Sequence, residues 1–115
     1  MDALSQESRD SKRIAELNDR LRQTFVGGQV LLTSSVAALE EVPKAKVLQA
    51  VRDFSAFNEG NDPHGERDMV FVEVDGEKYI AKIDYFDLDM RYAADNPADE
   101  KTTKRVMTIM RAEDY

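Results

Sequence analysis

At 115 residues, 42% hydrophobic and 34% charged, the chain has the size and balance of one folded domain, not of a disordered segment. It contains no cysteine, which removes disulfides, thiol nucleophiles and cysteine metal sites. Its formal charge of −7 is uneven: thirteen acids stand against four bases between Glu59 and Glu100, a field that repels nucleic-acid phosphates.

No apolar run approaches the ~20 residues that span a bilayer. Met1 to Asp10 lacks the apolar core of a signal peptide. The expected setting is therefore the cytoplasm, with neither membrane nor direct nucleic-acid contact. Residues 1–10 read as a flexible N-terminus, and 11–115 as a single domain with no internal linker.

Asp10 or Ser11 caps a first expected helix that runs to about Phe25. Ile14, Leu17, Leu21 and Phe25 recur at spacings of three and four and mark its buried face. Arg13, Glu16, Asp19, Arg20 and Arg22 cover the remainder. Gly27-Gly28 is the expected terminator. Gln29 to Thr33 reads as a strand, and Val36 to Leu39 is too short to type by periodicity. Pro43 suits the first turn of a second helix over 43–56, whose inner face is Val47, Val51 and Phe54.

Asn58 to Arg67 is a loop by composition. Met69–Val74 and Lys78–Phe86 then flank Asp75-Gly76-Glu77, a hairpin signature because the tight turn needs positive φ. Val70, Val72 and Val74 share one face of the first strand, and Tyr79, Ala81, Ile83 and Tyr85 one face of the second. Lys82 and Asp84 make the opposite face wet. Asn96-Pro97 reads as a helix start, with Val106, Ile109 and Met110 as the buried stripe of a third helix. The expected fold is α+β: a three-stranded, largely antiparallel sheet with three helices on one face, in the order α-β-α-β-β-α.

Three segments carry a resemblance. Asn61-Asp62-Pro63-His64-Gly65-Glu66-Arg67-Asp68, Lys82-Ile83-Asp84-Tyr85-Phe86-Asp87, and Asn96-Pro97-Ala98-Asp99 with Arg105-Val106-Met107-Thr108-Ile109-Met110 together resemble an uncharacterised family of small bacterial proteins. The resemblance runs from about Ile14 to Tyr115. That family is a domain of unknown function often met on plasmids and other mobile elements. It implies a bacterial cytoplasmic setting and a role in counter-defence or plasmid maintenance, and it implies no catalytic residues or cofactor. Its pattern carries a histidine at the position of Arg67 and an aromatic at that of His64, which argues against an essential histidine at either.

Two acidic segments are candidate sites. The Asn58–Asp68 loop offers Asp62, His64, Glu66 and Asp68 as oxygen and nitrogen donors for a hard cation, although their spacing matches no calcium loop. The same residues also build turns and cap a hairpin. Asp87-Leu88-Asp89 echoes the start of an EF-hand, but Arg91 and Tyr92 stand where a ligand and a glycine are needed. Asp84 interrupts a strand and is expected to pair with Arg91 or Arg105. It also shares a face with Lys82, the reverse of the order used by metal-dependent nucleases. A lone histidine and the lack of a nucleophile elbow leave no serine triad, and Gly27-Gly28 lacks the Lys-Ser/Thr of a phosphate loop.

The reading that follows is a non-catalytic module that binds a protein with a basic surface through Glu59, Asp62, Glu66, Asp68, Asp84, Asp87 and Asp89. Its sharpest form is an inhibitor of a bacterial nucleic-acid-processing or defence complex. An enzyme or metal-binding protein centred on the carboxylate loop is one alternative. A homodimer joined at a sheet edge or aromatic rim is the other.

Overall fold

Leu21, Val36, Val47 and Val51 come from three different helices and all meet the same face of a four-stranded sheet. The computed structural model describes residues 3–115, with side chains from Asp10 onward. Its elements are α1 (Ala3–Thr24), β1 (Gln29–Leu32), α2 (Ser34–Ala37), α3 (Glu41–Asp53), β2 (Met69–Val74), β3 (Glu77–Phe86) and β4 (Lys104–Arg111). A 3₁₀ turn, Ala112–Asp114, follows β4.

The spacing of three and four on α1 buries Ile14, Leu17 and Leu21 as expected. The helix starts earlier than a cap at Asp10 or Ser11, because Ala3 to Ser11 holds no glycine or proline to break it. Residues 1 and 2, and the side chains through Arg9, lie outside the described residues, and with them that part of the expected flexible start. Phe25, not a glycine, takes the left-handed position that ends α1, at φ 61°. The Arg52 guanidinium lies 4.1 Å from the centroid of its ring.

The hairpin forms as expected. Asp75 and Gly76 have φ of 52° and 82°, the two left-handed residues of a two-residue turn, and Val74 pairs with Glu77. Register places Val70 opposite Ala81, and Ala81 opposite Ile109 on β4. This row, with Tyr79, Ile83 and Met107, is the sheet's contribution to the core.

The C-terminal segment corrects the expected topology. Residues 104–111 form a strand, not a helix, so the sheet has four strands in the order β1-β4-β3-β2. β4 lies between β1, to which it is parallel, and β3, to which it is antiparallel. An interior strand is apolar on both faces. Val106, Ile109 and Met110 are all buried, and that double burial imitates a helical stripe. Asn96 does not open a helix: its side chain accepts from the Ala98 N–H, and that of Asp99 accepts from Lys101 N–H, so two successive turns form instead. The third helix is the short α2, where the sequence left Val36–Leu39 open.

All helices named above pack on one face. The opposite face presents Leu31, Phe71, Ile80, Lys82, Asp84, Thr108 and Met110, among which Leu31 and Phe71 remain about half exposed. Among the described residues, no helix is long and apolar enough to cross a membrane.

Candidate functional site

The Asn58–Asp68 loop spends much of its polarity on itself. Asn58 Oδ1 accepts from the Gly60 and Asn61 N–H groups, and Asn61 Oδ1 accepts from Asn58 N–H. The Asp62 carboxylate accepts from Arg67 N–H at 3.0 Å, which supports Arg67 in its left-handed conformation at φ 55°. The loop then delivers Asp68 beside β3, where its carbonyl accepts from Ile83 N–H.

Asp68 is the electrostatic centre of this end of the sheet. Burial pushes its carboxyl above the usual carboxylate range, and the nearby charges of Asp62 and Asp84 add to that rise. A backbone hydrogen bond and His64 oppose it. Asp84 pairs with Lys82 at 3.3 Å, not with Arg91 or Arg105, because two positions along one strand put both side chains on one face. Immediately beyond β3, Asp87 Oδ1 accepts from Arg91 N–H and closes a tight turn that carries Asp89. Among the described residues, Glu59, Asp62, Asp68, Asp87 and Asp89 form no ion pair with any base.

Glu66 has a different role. Its carboxylate accepts a 2.8 Å bond from the Tyr85 hydroxyl, which in turn accepts from Asn18 Nδ2 at 2.8 Å. Asn18 also donates to the Glu66 carbonyl and accepts from Arg105 Nε. Arg105 Nη2 donates to the Pro97 carbonyl, and its guanidinium sits 5.3 Å from the centre of the Tyr85 ring. This buried chain ties α1, the acidic loop, β3 and β4 together. Among the described residues Arg105 has no carboxylate partner. Sequence reading missed it, since a lone Asn on a helix and a lone Arg in an apolar run give no sign of meeting.

Arg22 was expected on the solvated face of α1, yet it is buried. Its Nη1 donates to the carbonyls of Val51, Arg52 and Phe54, which close α3, while Nη2 pairs with Asp19 at 2.8 Å. A cation there satisfies orphan carbonyls and opposes the negative end of the helix dipole. Asp19 also binds Arg67, so the loop is pinned to α1 through one carboxylate.

His64 lies against α1 in an open depression of about 480 Å³ that it shares with Ser11, Glu16, Asp19 and Arg67. Asp62, His64, Glu66 and Asp68 are therefore employed separately, in a turn, a helix-side depression, a tyrosine bond and a half-buried position. Among the described residues, no three His, Asp or Glu side chains form a group able to hold a metal ion.

A family model described as "Protein of unknown function (DUF3768)" matches residues 32–114, and the chain belongs to that family. The match contains all three segments that carry the resemblance, together with α2, α3 and strands β2 to β4. No curated protein matches the chain, and no solved structure matches it.

Proposed function

We propose that this member of the DUF3768 family is a non-catalytic, cytoplasmic module that binds a protein partner with a basic surface through the acidic end of its sheet. The observation that carries the reading is that Asp62, from the loop, and Asp84, from the neighbouring strand, both lie within electrostatic reach of Asp68. Glu59, Asp87 and Asp89 extend the same charge over the flanking turns. Burial and the neighbouring charges of Asp62 and Asp84 make the charge of Asp68 costly, and a basic partner relieves that cost. Basic surfaces of this kind belong to enzymes that handle nucleic acid. Inhibition of a bacterial nucleic-acid-processing or defence complex, by a protein carried on a mobile element, is the specific form of the proposal.

The test is capture from host lysate with the tagged chain at low and high salt, compared with a triple variant Asp62→Lys, Asp87→Lys, Asp89→Lys. The expected result is a basic partner that is retained at low salt and lost both at high salt and in the variant. Screening shortens the reach of these charges from ~10 Å at 0.1 M to ~3 Å at 1 M salt. A partner that binds equally at both salts and to the triple variant would refute the acidic surface.

A further inference from the structure

The outer edge of β2 is open. The Ile83 N–H bond to the Asp68 carbonyl and the closing pair Val74–Glu77 fix which residues exchange bonds with β3. They are the even positions: Asp68, Val70, Val72 and Val74. In an antiparallel ladder the alternate residues turn their backbone groups the other way. Met69, Phe71 and Glu73 thus direct N–H and C=O groups away from the sheet, and no backbone hydrogen bond outside the ladder involves them among the described residues. The strand Met-Val-Phe-Val-Glu-Val has no proline and no lysine, two devices that usually blunt an edge, and its one charge is Glu73, near its end. Phe71 at its middle is 44% exposed on the face that no helix covers.

We propose that β2 pairs with β2 of a second copy of this chain, antiparallel about a two-fold axis at Phe71, to make one continuous eight-stranded sheet. The occupant follows from the strand's own complementarity. Centred on Phe71, this register sets the two Phe71 side chains against each other and each Glu73 against Met69 of the other copy. Val70 faces Val72 across the axis on the helix-covered side. Arg67 and Asp75, which bound the strand, leave the ladder at positive φ and pair within their own chain, Arg67 with Asp19 and Asp75 with Lys46, so the register rests on Met69–Val74 alone. A register centred on Glu73 places two carboxylates face to face and is disfavoured. Isologous pairing of this kind satisfies every outward backbone group of the strand centre at once.

The absence of cysteine makes the test direct. Light scattering across a dilution series is expected to give twice the chain mass. Phe71→Pro deletes one outward N–H at an edge position where proline is tolerated. It is expected to give the monomer with an unchanged far-ultraviolet circular dichroism spectrum. Should that variant fail to fold, Phe71→Lys is expected to give the same loss of mass. Under mild oxidation, Phe71→Cys is expected to cross-link to its own copy, since paired Cα atoms at ~5.5 Å suit a disulfide, whereas Glu73→Cys does not. A monomer at every concentration, or a dimer that survives both Phe71 variants, overturns the proposal. Efficient cross-linking through Glu73→Cys but not Phe71→Cys overturns the register.

Discussion

Asn18 and Arg105, 87 positions apart, are joined by a 2.9 Å hydrogen bond from Arg105 Nε to Asn18 Oδ1. Asn18 is fully buried, and its amide also serves the Tyr85 hydroxyl and the Glu66 carbonyl. Replacing it strands several buried polar groups at once. Asn18→Ala and Asn18→Leu are both expected to lower unfolding free energy by about 2–4 kcal/mol, with the leucine regaining little because it offers no donor or acceptor. Urea denaturation measures this, and a loss below about 1 kcal/mol would mean that water replaces the amide.

The Tyr85 hydroxyl gives a pH signature to the same network. Burial raises it well above the ordinary value, with Glu66 adding to the rise and the Asn18 bond opposing it. The folded chain thus keeps this proton at pH values where an unfolded tyrosine, near 10, gives it up. The stability it confers is complete below pH about 10 and is lost as pH rises beyond that. Tyr85→Phe is expected to cost about 1–2 kcal/mol at neutral pH for its two hydrogen bonds. Urea midpoints measured from pH 9 to 11 are expected to fall less steeply for the variant than for the parent chain. Parallel slopes would show that the hydroxyl ionises equally well in both states.

Asp68 obeys the same linkage in the acid range. Its folded-state pKa is raised, so the protonated form favours the fold and stability from this group falls as pH climbs through the carboxylate range. Asp68→Asn is expected to be slightly more stable than the parent at pH 7, with the two curves meeting near pH 3. The gain is small because the side chain is only half-buried and solvent screens it. If the acidic surface binds a basic partner, the same variant weakens that complex while it stabilises the free chain. Opposite signs in the two measurements separate binding from folding.

These residues also show where the sequence was legible. The hairpin could be read because Asp75-Gly76 fixes a backbone geometry that few dipeptides accept. The buried faces of α1 and α3 could be read because each helix meets the core on one side only. β4 could not, since an interior strand between β1 and β3 loses the alternation that identifies strands. Asn96 and Asp99 copied a helix start, although the β-branched run of Thr102, Thr103, Val106, Thr108 and Ile109 was a signal for a strand. The acidic loops were visible as composition. Their division of labour was not, because Glu66 depends on Tyr85 and Arg67 on Asp19, partners distant in the chain. Likewise the ambiguity at Val36–Leu39 was settled only by packing, as one helical turn with Val36 in the core.

Arg22 tests how much of α3 rests on a single cation. Its Nη1 holds three carbonyls at the end of that helix. Arg22→Met keeps the aliphatic volume and removes the charge, leaving those carbonyls and the Asp19 carboxylate without it. The expected loss is about 3–5 kcal/mol, the range for breaking a buried pair from one side. Arg22→Lys is expected to recover only part, because an ammonium cannot span the carbonyls and Asp19 in the fork geometry of a guanidinium. Hydrogen exchange is expected to show the last turn of α3 opening first in both variants. Uniform loss of protection across the chain would instead place the arginine's contribution in the whole core.

Gly28 and Gly76 separate two reasons for glycine. At Gly28 an added Cβ would lie 2.5 Å from the Arg105 carbonyl oxygen and 2.9 Å from a Leu21 methyl carbon. That oxygen belongs to the β4 backbone, which cannot yield without moving the buried Arg105 and its bond to Asn18. At Gly76 a Cβ meets nothing within 4 Å, but φ is +82°. Gly28→Ala is therefore a steric test, expected to cost about 2–3 kcal/mol, and Gly76→Ala a conformational one, expected to cost about 1 kcal/mol. Gly76→Asn is expected to return part of the latter, since asparagine adopts positive φ more readily. No such rescue is available at Gly28, where any side chain meets the same oxygen. Urea midpoints of the three variants decide the matter. If Gly28→Ala proves as mild as Gly76→Ala, β4 can slide at Arg105, and the buried polar chain is looser than its distances imply.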